Sequence, residues 1–576
     1  MKKTKIVCTI GPASEDKKIL THLIASGMNV ARLNFSHGDY EEHQGRIDTI
    51  KEIRQKLNQP IAILLDTKGP EIRTKKFKDG GVFLKEGSMF TLTVGDELGD
   101  ENKCSTTYDH LAEELKKGDV VLIDDGLIKL TVREIKGKDV ILRVDNGGPV
   151  KNHKSINIPG VNIKLPALTE KDTNDLLFGI KNDVDFVAAS FIRSKEDVFA
   201  IREVLNNNGG EDIHIISKIE NRQGVDNIDE IIEASDGIMV ARGDLGVEIP
   251  AEEVPIVQKD IIKKCNYVGK PVITATQMLD SMINNPRATR AEVTDVFNAI
   301  FDGTDAIMLS GETAAGKYPI EAVQTMGIIA ESAEGKLASD FRTRSKYIND
   351  QSMTSAVSLS TVQIADSLNA KAILTPTSSG YTARRISKYR PNCDIVAYTD
   401  KEYVQRRLSL VWGVEAYKID VFSDVELLYK TIIKSAKDHF HVQNGDMVVI
   451  TAGIPLGVKG TTNSIRIETV GEHVLKGAGL IGGRIKNRGL RIYTKEISDF
   501  KDGEILALTS LDSKAMDLVE KAGGVIYSEK AFPNEVEMKL KGLDIPTLVG
   551  VESFEGYEDK EKVTLDASRG ILYKIN

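Results

Sequence analysis

Ile215-Ile216-Ser217-Lys218-Ile219-Glu220 and Ile238-Met239-Val240-Ala241-Arg242-Gly243-Asp244-Leu245-Gly246 are two short apolar runs that end abruptly in charge. An apolar run of this length between polar residues reads as a buried strand. The first brings Lys218 and Glu220 to its end, the second Arg242 and Asp244. Charges placed just past buried strands are the layout of an α/β active site. Two carboxylates beside a lysine and an arginine point to a divalent cation between hard oxygens, with cationic groups for a phosphorylated substrate.

Outward from this pair, similar runs recur. Before it lie residues 5–10, stopped by Gly11-Pro12; 28–33, followed by Asn34, Phe35, Ser36, His37 and Gly38; and 60–66, ending in Asp66. Ser14, with acidic residues after it, is the expected cap of the helix that runs to Gly27. Further runs lie at 185–190, 213–219, 237–241, 271–275 and 305–309. Three strand–helix units and then five predict a closed (β/α)8 TIM barrel rather than an open sheet. From Lys68-Gly69-Pro70 to about Pro166 the rhythm breaks into short strands and glycines, which predicts a small β-barrel domain inserted into a loop. Thr169 and Asp172 make a capping-box start for the next helix. Residues 319–344 read as a linking helix, and 350–368 as the helix that opens a C-terminal α/β domain. The tail, with strands at 505–508, 525–527 and 546–549, reads as an extra α/β domain joined through Gly477–Gly483. The expected division is therefore 1–68 with 168–344, 69–167, 345–473 and 474–576.

At 576 residues the chain is long enough for several domains, at roughly 100–200 residues each. A net charge of -9 with 28% charged residues gives no sign of a nucleic-acid or membrane partner. Cys8, Cys104, Cys265 and Cys393 are scattered without a CxxC, so neither a disulfide framework nor a thiolate metal site is expected and a reducing cytosol fits. Met1-Lys2-Lys3-Thr4 leads straight into a strand, and no signal peptide is expected. No run approaches the ~20 apolar residues of a membrane span.

The strand ends of such a barrel gather Arg32, Asn34 and Ser36; Asp66 and Thr67; Ser190; Lys218 and Glu220; Arg242 and Asp244; Thr276 and Gln277; Ser310 and Glu312. Nearly all are oxygen donors or cations, so zinc is not expected. Glu220 and Asp244 fit Mg²⁺ or Mn²⁺, against a structural ion-pair network. Asn34, Ser36, Asp66 and Thr67 suit K⁺, or form a hydrogen-bonded cluster. Arg32, Lys218 and Arg242 need partners in a dry site, and a phosphate would satisfy several. Arg73 would close over a nucleotide, or form a hinge salt bridge; His37 would touch a nucleotide, or pack its loop. Thr375, Thr377, Ser378, Ser379, Gly380 and Thr382 follow a strand and precede a helix with Arg384 and Arg385. Hydroxyls around a glycine there make an anion cradle or a plain cap, without a P-loop motif. Trp412, the 453–457 turn, Lys459 and Arg466 are expected in the same region.

Residues 1–471 resemble the pyruvate kinases along their whole length. The matching motifs are Thr9–Pro12, Arg32–Gly38, Leu65–Arg73, Ile216–Glu220, Met239–Gly246, Ala275–Leu279 and Leu309–Ala314. The resemblance implies phosphoryl transfer from phosphoenolpyruvate to ADP, giving pyruvate and ATP in the last step of glycolysis. It implies that Glu220 and Asp244 hold Mg²⁺, and that Asn34, Ser36, Asp66 and the Thr67 carbonyl hold K⁺. Lys218 and Arg32 then meet the transferring phosphoryl group, Arg73, Asn34 and His37 lie on the nucleotide side, and Ala241, Arg242 and Gly243 lie by the substrate carboxylate. Thr276 belongs to the proton-delivery region, Glu71 marks the K⁺-requiring type, and the inserted domain becomes a lid. A cytoplasmic homotetramer is implied, activated at Thr375–Thr382 by a sugar phosphate or AMP. The tail resembles the phosphohistidine domain of enzymes that use phosphoenolpyruvate, but no histidine follows His473, so a structural or assembly role is expected. Rival readings are another metal-dependent barrel enzyme, such as an aldolase or a phosphoenolpyruvate-dependent carboxyl- or phosphotransferase, and a non-catalytic metabolite sensor.

Overall fold

β1 (Lys5–Thr9), β2 (Val30–Asn34) and β3 (Ala62–Asp66) come first in the chain. Eight short strands follow: β4 (Gly81–Leu84), β5 (Met89–Thr93), β6 (Lys103–Ser105), β7 (Val120–Ile123), β8 (Ile128–Lys136), β9 (Asp139–Asn146), β10 (Gly148–Lys151) and β11 (Ile156–Asn157). The first pattern then resumes with β12 (Phe186–Ala189), β13 (His214–Ile219), β14 (Gly237–Ala241), β15 (Val272–Ala275) and β16 (Ala306–Leu309). In this computed structural model, which describes residues 2–337, 352–456, 462–471, 474–495, 497 and 499–574, the first three and last five close a barrel in the order β1-β16-β15-β14-β13-β12-β3-β2. All its strand pairings are parallel.

The unbroken apolar runs follow from burial on both faces. Val7, Val30, Leu64, Phe186, Ile216, Met239, Ile273 and Met308 fill one core. Ile6, Cys8, Leu33, Leu65, Val187, Ile219, Val240 and Leu309 pack into a second, with the surrounding helices. The inserted strands form a six-stranded sheet, β11-β7-β8-β9-β5-β6, and the pair β10-β4, around one apolar core of their own.

The chain divides into two compact units, Met1–Ser358 with Pro376–Asp420, and Leu359–Thr375 with Val421–Asn576. In the first, the 376–420 segment contributes the parallel strands Asp394–Thr399 and Val414–Lys418. It is tied beneath the barrel by Arg406–Asp185 at 2.7 Å and Arg390–Asp305 at 3.0 Å, each aspartate just before a barrel strand. Trp412, expected beside the Thr375–Thr382 cradle, carries Lys3 and Arg390 on its ring at 5.1 and 4.7 Å. In the second unit, Ala372–Pro376 pairs in parallel with Met447–Gly453, which pairs antiparallel with Thr462–Thr469. The tail sheet has eight strands, of which Arg484–Tyr493, Ile505–Leu508, Gly524–Tyr527 and Thr547–Val549 run parallel. Tyr573 lies on the turn at Gly445, where a Cβ would approach the ring to 2.1 Å.

Two local expectations are corrected. The first helix, Lys17–Ala25, is capped by Asp16, whose carboxylate accepts from the Lys18 and Ile19 N–H groups. Ser14 instead closes the Gly11 turn, where its hydroxyl accepts from the Gly11 N–H at 3.2 Å. The glycine-rich 477–483 stretch is not a plain connector. Ala478–Ile481 is a strand on Thr547–Val549, and a Cβ at Gly479 would meet the Ala567 carbonyl at 2.0 Å. The capping box of Thr169 and Asp172 is formed. The expected boundary at 344/345, Gly457, Lys459 and His473 lie outside the described residues. Among the described residues no helix is long and apolar enough to cross a membrane.

Candidate active site

β13 and β14 are neighbours in register, Lys218 beside Met239 and Ile219 beside Val240. Their ends therefore discharge side by side at the carboxyl face of the barrel. On the other side of β12, β3 and β2 pair Asp66 with Asn34. A cavity of about 600 Å³ opens there, bounded by Arg32, Asn34, Ser36, His37, Arg73, Ser190, Lys218, Glu220 and Asp244 on the candidate side. Its remaining wall includes Glu71, Asp124, Asp125, Ser155 and Asn157 of the inserted region.

Lys218 is the hub. Its ammonium lies 2.9 Å from Glu220 Oε1, 3.1 Å from Asp66 Oδ1 and 2.8 Å from Ser190 Oγ. Burial alone would depress this ammonium, but Asp66 and Glu220 outweigh it and hold its pKa above the ordinary lysine value. Asp66 also accepts from Arg32 Nε at 2.6 Å. Arg32 Nη1 is steadied by Thr9 Oγ1 at 2.8 Å. Against the pull of burial, the two cations keep the Asp66 carboxyl below its usual range. Ser190 donates to the Thr67 carbonyl at 2.6 Å and so joins the strand ends of β3 and β12 to Lys218. Sequence reading placed Ser190 at the catalytic end without giving it a role.

Glu220 accepts from the Phe191 N–H at 2.6 Å, and Phe191 holds a left-handed φ of 56° to deliver it. Burial pushes the Glu220 carboxyl up to about 7, with Lys218 opposing and Asp244 adding to the rise. Asp244 is raised by burial too, and shares a hydrogen bond with Glu220. Two facing carboxylates of this kind, with Glu220 1% exposed, are a hard-oxygen donor set that a divalent cation fits. No group of three or more His, Cys, Asp or Glu side chains arranged for a metal occurs among the described residues, so a cation here would complete its shell with water or substrate oxygens. For the monovalent cluster, Asn34 Oδ1 accepts from the Ser36 N–H at 3.1 Å, while Asp66 and the Thr67 carbonyl are engaged as above.

Arg242 and Thr276 follow the ends of β14 and β15. Arg242 Nη1 binds both oxygens of Asp295, at 2.7 and 2.9 Å, and Nη2 binds the Thr276 carbonyl at 2.7 Å. Its guanidinium is thus spent on the protein. Thr276 and Gln277 both sit at positive φ, 68° and 53°. For a β-branched residue this is strained backbone that its surroundings must hold. The Thr276 hydroxyl accepts from the Gly243 N–H at 2.8 Å and donates to the Ala275 carbonyl at 2.6 Å. Asp295 was not foreseen, since nothing in its helix sets it apart. Glu312 turns inward and takes the N–H groups of Leu279 and Ser310, a bracing role. Arg73 pairs with Glu71 at 2.6 Å and with the His153 carbonyl at 2.8 Å. The His37 carbonyl is bound by His43 at 2.9 Å, and His43 stacks on Phe35 at 3.9 Å.

The hydroxyl-rich segment lies elsewhere. Gly380, at φ 75°, caps the helix Tyr381–Lys388. Its N–H donates to Thr377 Oγ1 at 3.0 Å, and Arg384 reaches the Ser379 carbonyl at 3.3 Å. Thr377 and Thr382 are buried, as is Thr375, which belongs to the other compact unit. Burial lowers the Arg384 pKa to about 10, and Arg407 nearby adds to it.

Comparison with known proteins agrees across the chain. The family described as pyruvate kinase, barrel domain, matches residues 1–323, and that described as pyruvate kinase, alpha/beta domain, matches residues 355–468. A pyruvate kinase of Bacillus licheniformis is 50% identical over 583 residues, covering 100% of this chain and 99% of the relative. One of Staphylococcus aureus (strain MRSA252) is 49% identical over 586 residues with the same coverage. The crystal structure of a pyruvate kinase from Cryptosporidium parvum superposes with a TM-score of 0.77 at 40% identity, over 81% of this chain and 96% of that one. Similarity of this extent, over a barrel whose strand ends carry the family's motifs, means that the chain belongs to the pyruvate kinase family and is a phosphotransferase.

Proposed function

We propose that the enzyme transfers the phosphoryl group of phosphoenolpyruvate to ADP, releasing pyruvate and ATP. The observation that carries this is Lys218, held charged between Asp66, Glu220 and Ser190 with Arg32 alongside. Phosphoryl transfer asks for little covalent help; it asks for positive charge aimed at the phosphoryl oxygens in a dry site. Lys218 and Arg32 supply that charge already positioned, since their carboxylate partners fix both side chains before substrate arrives. Glu220 and Asp244 would hold Mg²⁺ or Mn²⁺, and Asn34, Ser36, Asp66 and the Thr67 carbonyl would hold K⁺. When bound, the divalent cation would neutralise the substrate carboxylate and phosphoryl oxygens. The backbone at the start of the helix Arg242–Glu248, where the Gly243 N–H already serves Thr276, would lie by the substrate carboxylate, with Arg242 organising it rather than touching the substrate. Thr276 stands in the proton-delivery region that protonates the enolate at carbon. Arg73, Asn34 and His37 meet the nucleotide, and residues 69–167 form a lid over the barrel of 1–68 and 168–344 that excludes water.

The segment Thr375–Thr382 in the 345–473 domain takes a phosphorylated activator, a sugar phosphate or AMP. Residues 474–576 serve structure or assembly, the enzyme works in the cytoplasm, and it assembles as a homotetramer. The test is pyruvate release from phosphoenolpyruvate and ADP, with Mg²⁺ and K⁺ each omitted in turn. Activity undiminished without a divalent cation would sink the assignment of Glu220 and Asp244. Full activity in K⁺-free buffer would sink that of Asn34, Ser36 and Asp66. Stimulation by 6-phosphate sugars and AMP, measured in the same assay, identifies the effector.

A further inference from the structure

The helix Arg242–Glu248 carries two carboxylates one turn apart. Asp244 faces the proposed cation site; the other, Glu248, lies on the wall of the same cavity but is not among the residues assigned there to cation or substrate. It reaches across to the inserted region instead. Glu248 Oε1 accepts from Asn157 Nδ2 at 2.8 Å, and its carboxylate also takes the Ile158 N–H. Val247, beside it, is 3.6 Å from where a Cβ at Gly126 would stand. β11, which ends at Asn157, pairs with β7 through Asn157–Leu122, and β7 leads directly into Asp124 and Asp125 on the cavity wall. Those two aspartates sit at left-handed φ, 58° and 53°, and are tied to the chain just before β11: Lys154 pairs with Asp124 at 2.7 Å and Ser155 Oγ donates to Asp125 at 2.7 Å.

We infer that Glu248 is a positioning residue that latches the inserted region to the barrel, setting the Asp124–Gly126 turn over the cleft through Asn157 and Ile158. This rests on the reading of residues 69–167 as a lid. It goes further by placing the latch on the same short helix as Asp244, so that lid position and cation site share one rigid element. The hinge is a separate device: Arg193 binds the Ile163, Leu165 and Pro166 carbonyls of the returning chain and does not touch Glu248.

The test uses the full chain with Glu248→Ala, Asn157→Ala, the double variant and Glu248→Gln. Hydrogen–deuterium exchange without ligands reads the latch directly. Hydrogen bonds to a charged acceptor are strong enough that Glu248→Ala should exchange the Ile158 amide about tenfold faster, and Asn157→Ala, which leaves that bond in place, should speed it less, with the 163–165 amides unchanged. The KM for ADP should rise about tenfold with kcat moving less, and pyruvate should form in excess of ATP as water enters. Glu248→Gln, which keeps one acceptor oxygen and loses the charge, should fall between wild type and Glu248→Ala. The double variant should be no worse than Glu248→Ala, because that change already removes both contacts. Unchanged exchange at Ile158 in Glu248→Ala, or effects that multiply in the double variant, would overturn the latch. If Glu248→Ala does not fold, Glu248→Gln carries the comparison, and exchange at Ile158 equal to wild type there would overturn the latch. A wild-type protein that makes no pyruvate would overturn the proposed reaction, while the exchange result still decides the latch.

Discussion

Replacing Asp295 by alanine tests whether the Thr276 turn is held from behind. Asp295 makes two charge-assisted bonds to Arg242 Nη1, and Arg242 in turn holds the Ala275 and Thr276 carbonyls at 3.3 and 2.7 Å. Hydrogen bonds to charged groups contribute about 1.5–3 kcal/mol. The Arg242 side chain is 11% exposed, but that of Asp295 is 39% exposed, and water will recover part of the loss. We therefore set the lost restraint at about 2 kcal/mol. Against it stands the strain of two successive left-handed residues, on the order of 1–3 kcal/mol each. The two are comparable, so the turn should relax and carry the Thr276 hydroxyl off the Gly243 N–H. If the whole loss falls on the transition state, kcat drops about 30-fold. Steady-state pyruvate formation gives kcat and KM, and thermal unfolding gives stability. Asp295→Asn keeps the shape and one acceptor and should fall between. A kcat within threefold of wild type together with a lowered Tm would refute the reasoning, since Asp295 would then be stabilising the fold without positioning Thr276.

Lys218→Met should cut kcat by about 10²–10³, the usual loss for one electrostatic donor at a transition state, with a smaller change in KM; more than a tenth of wild-type kcat would show that Arg32 carries the charge alone. Gly380→Ala should leave basal activity intact and weaken stimulation by a phosphorylated activator, because φ is 75° and the new Cβ would stand 3.1 Å from Leu408; unchanged stimulation would remove this turn from the effector site. His43 is buried, and burial pulls its pKa below 6.5, so the folded chain binds that proton less readily than the unfolded one. Above about pH 6.5 neither state is protonated and nothing is lost; as pH falls below it the unfolded chain takes the proton first and stability declines. His43→Phe should therefore flatten the fall of Tm between about pH 7 and 5, and parallel Tm curves for the two proteins would count against it.

How far the sequence reaches into this enzyme depends on where each signal is stored. The barrel was legible because a strand buried on both faces must be apolar throughout, and eight such runs ending in charge are hard to arrange otherwise. The chemically charged positions, Lys218, Glu220 and Asp244, were legible for the same reason: a charge at the end of a buried run must find an opposite charge, a cation or a ligand there. The tail was read less well. Its long strand Arg484–Tyr493 has charged residues at most exposed positions, and its edge strand Ala478–Ile481 is made partly of glycine, so neither alternates visibly. Helix starts depend on which of several oxygens wins: Asp16, two residues beyond Ser14, forms two bonds to helix N–H groups. What no one-dimensional pattern holds is the layer behind the site. Ser190, Asp295, Asn157 and Glu248 act across gaps of tens of residues, through contacts whose geometry only the closed barrel and the inserted sheet supply. Arg242 shows the consequence most clearly. Its place at a strand end reads as a phosphate clamp, its motif reads as a local organiser, and only Asp295 behind it decides between them: a guanidinium already holding a carboxylate and two carbonyls has no fork left for a phosphate.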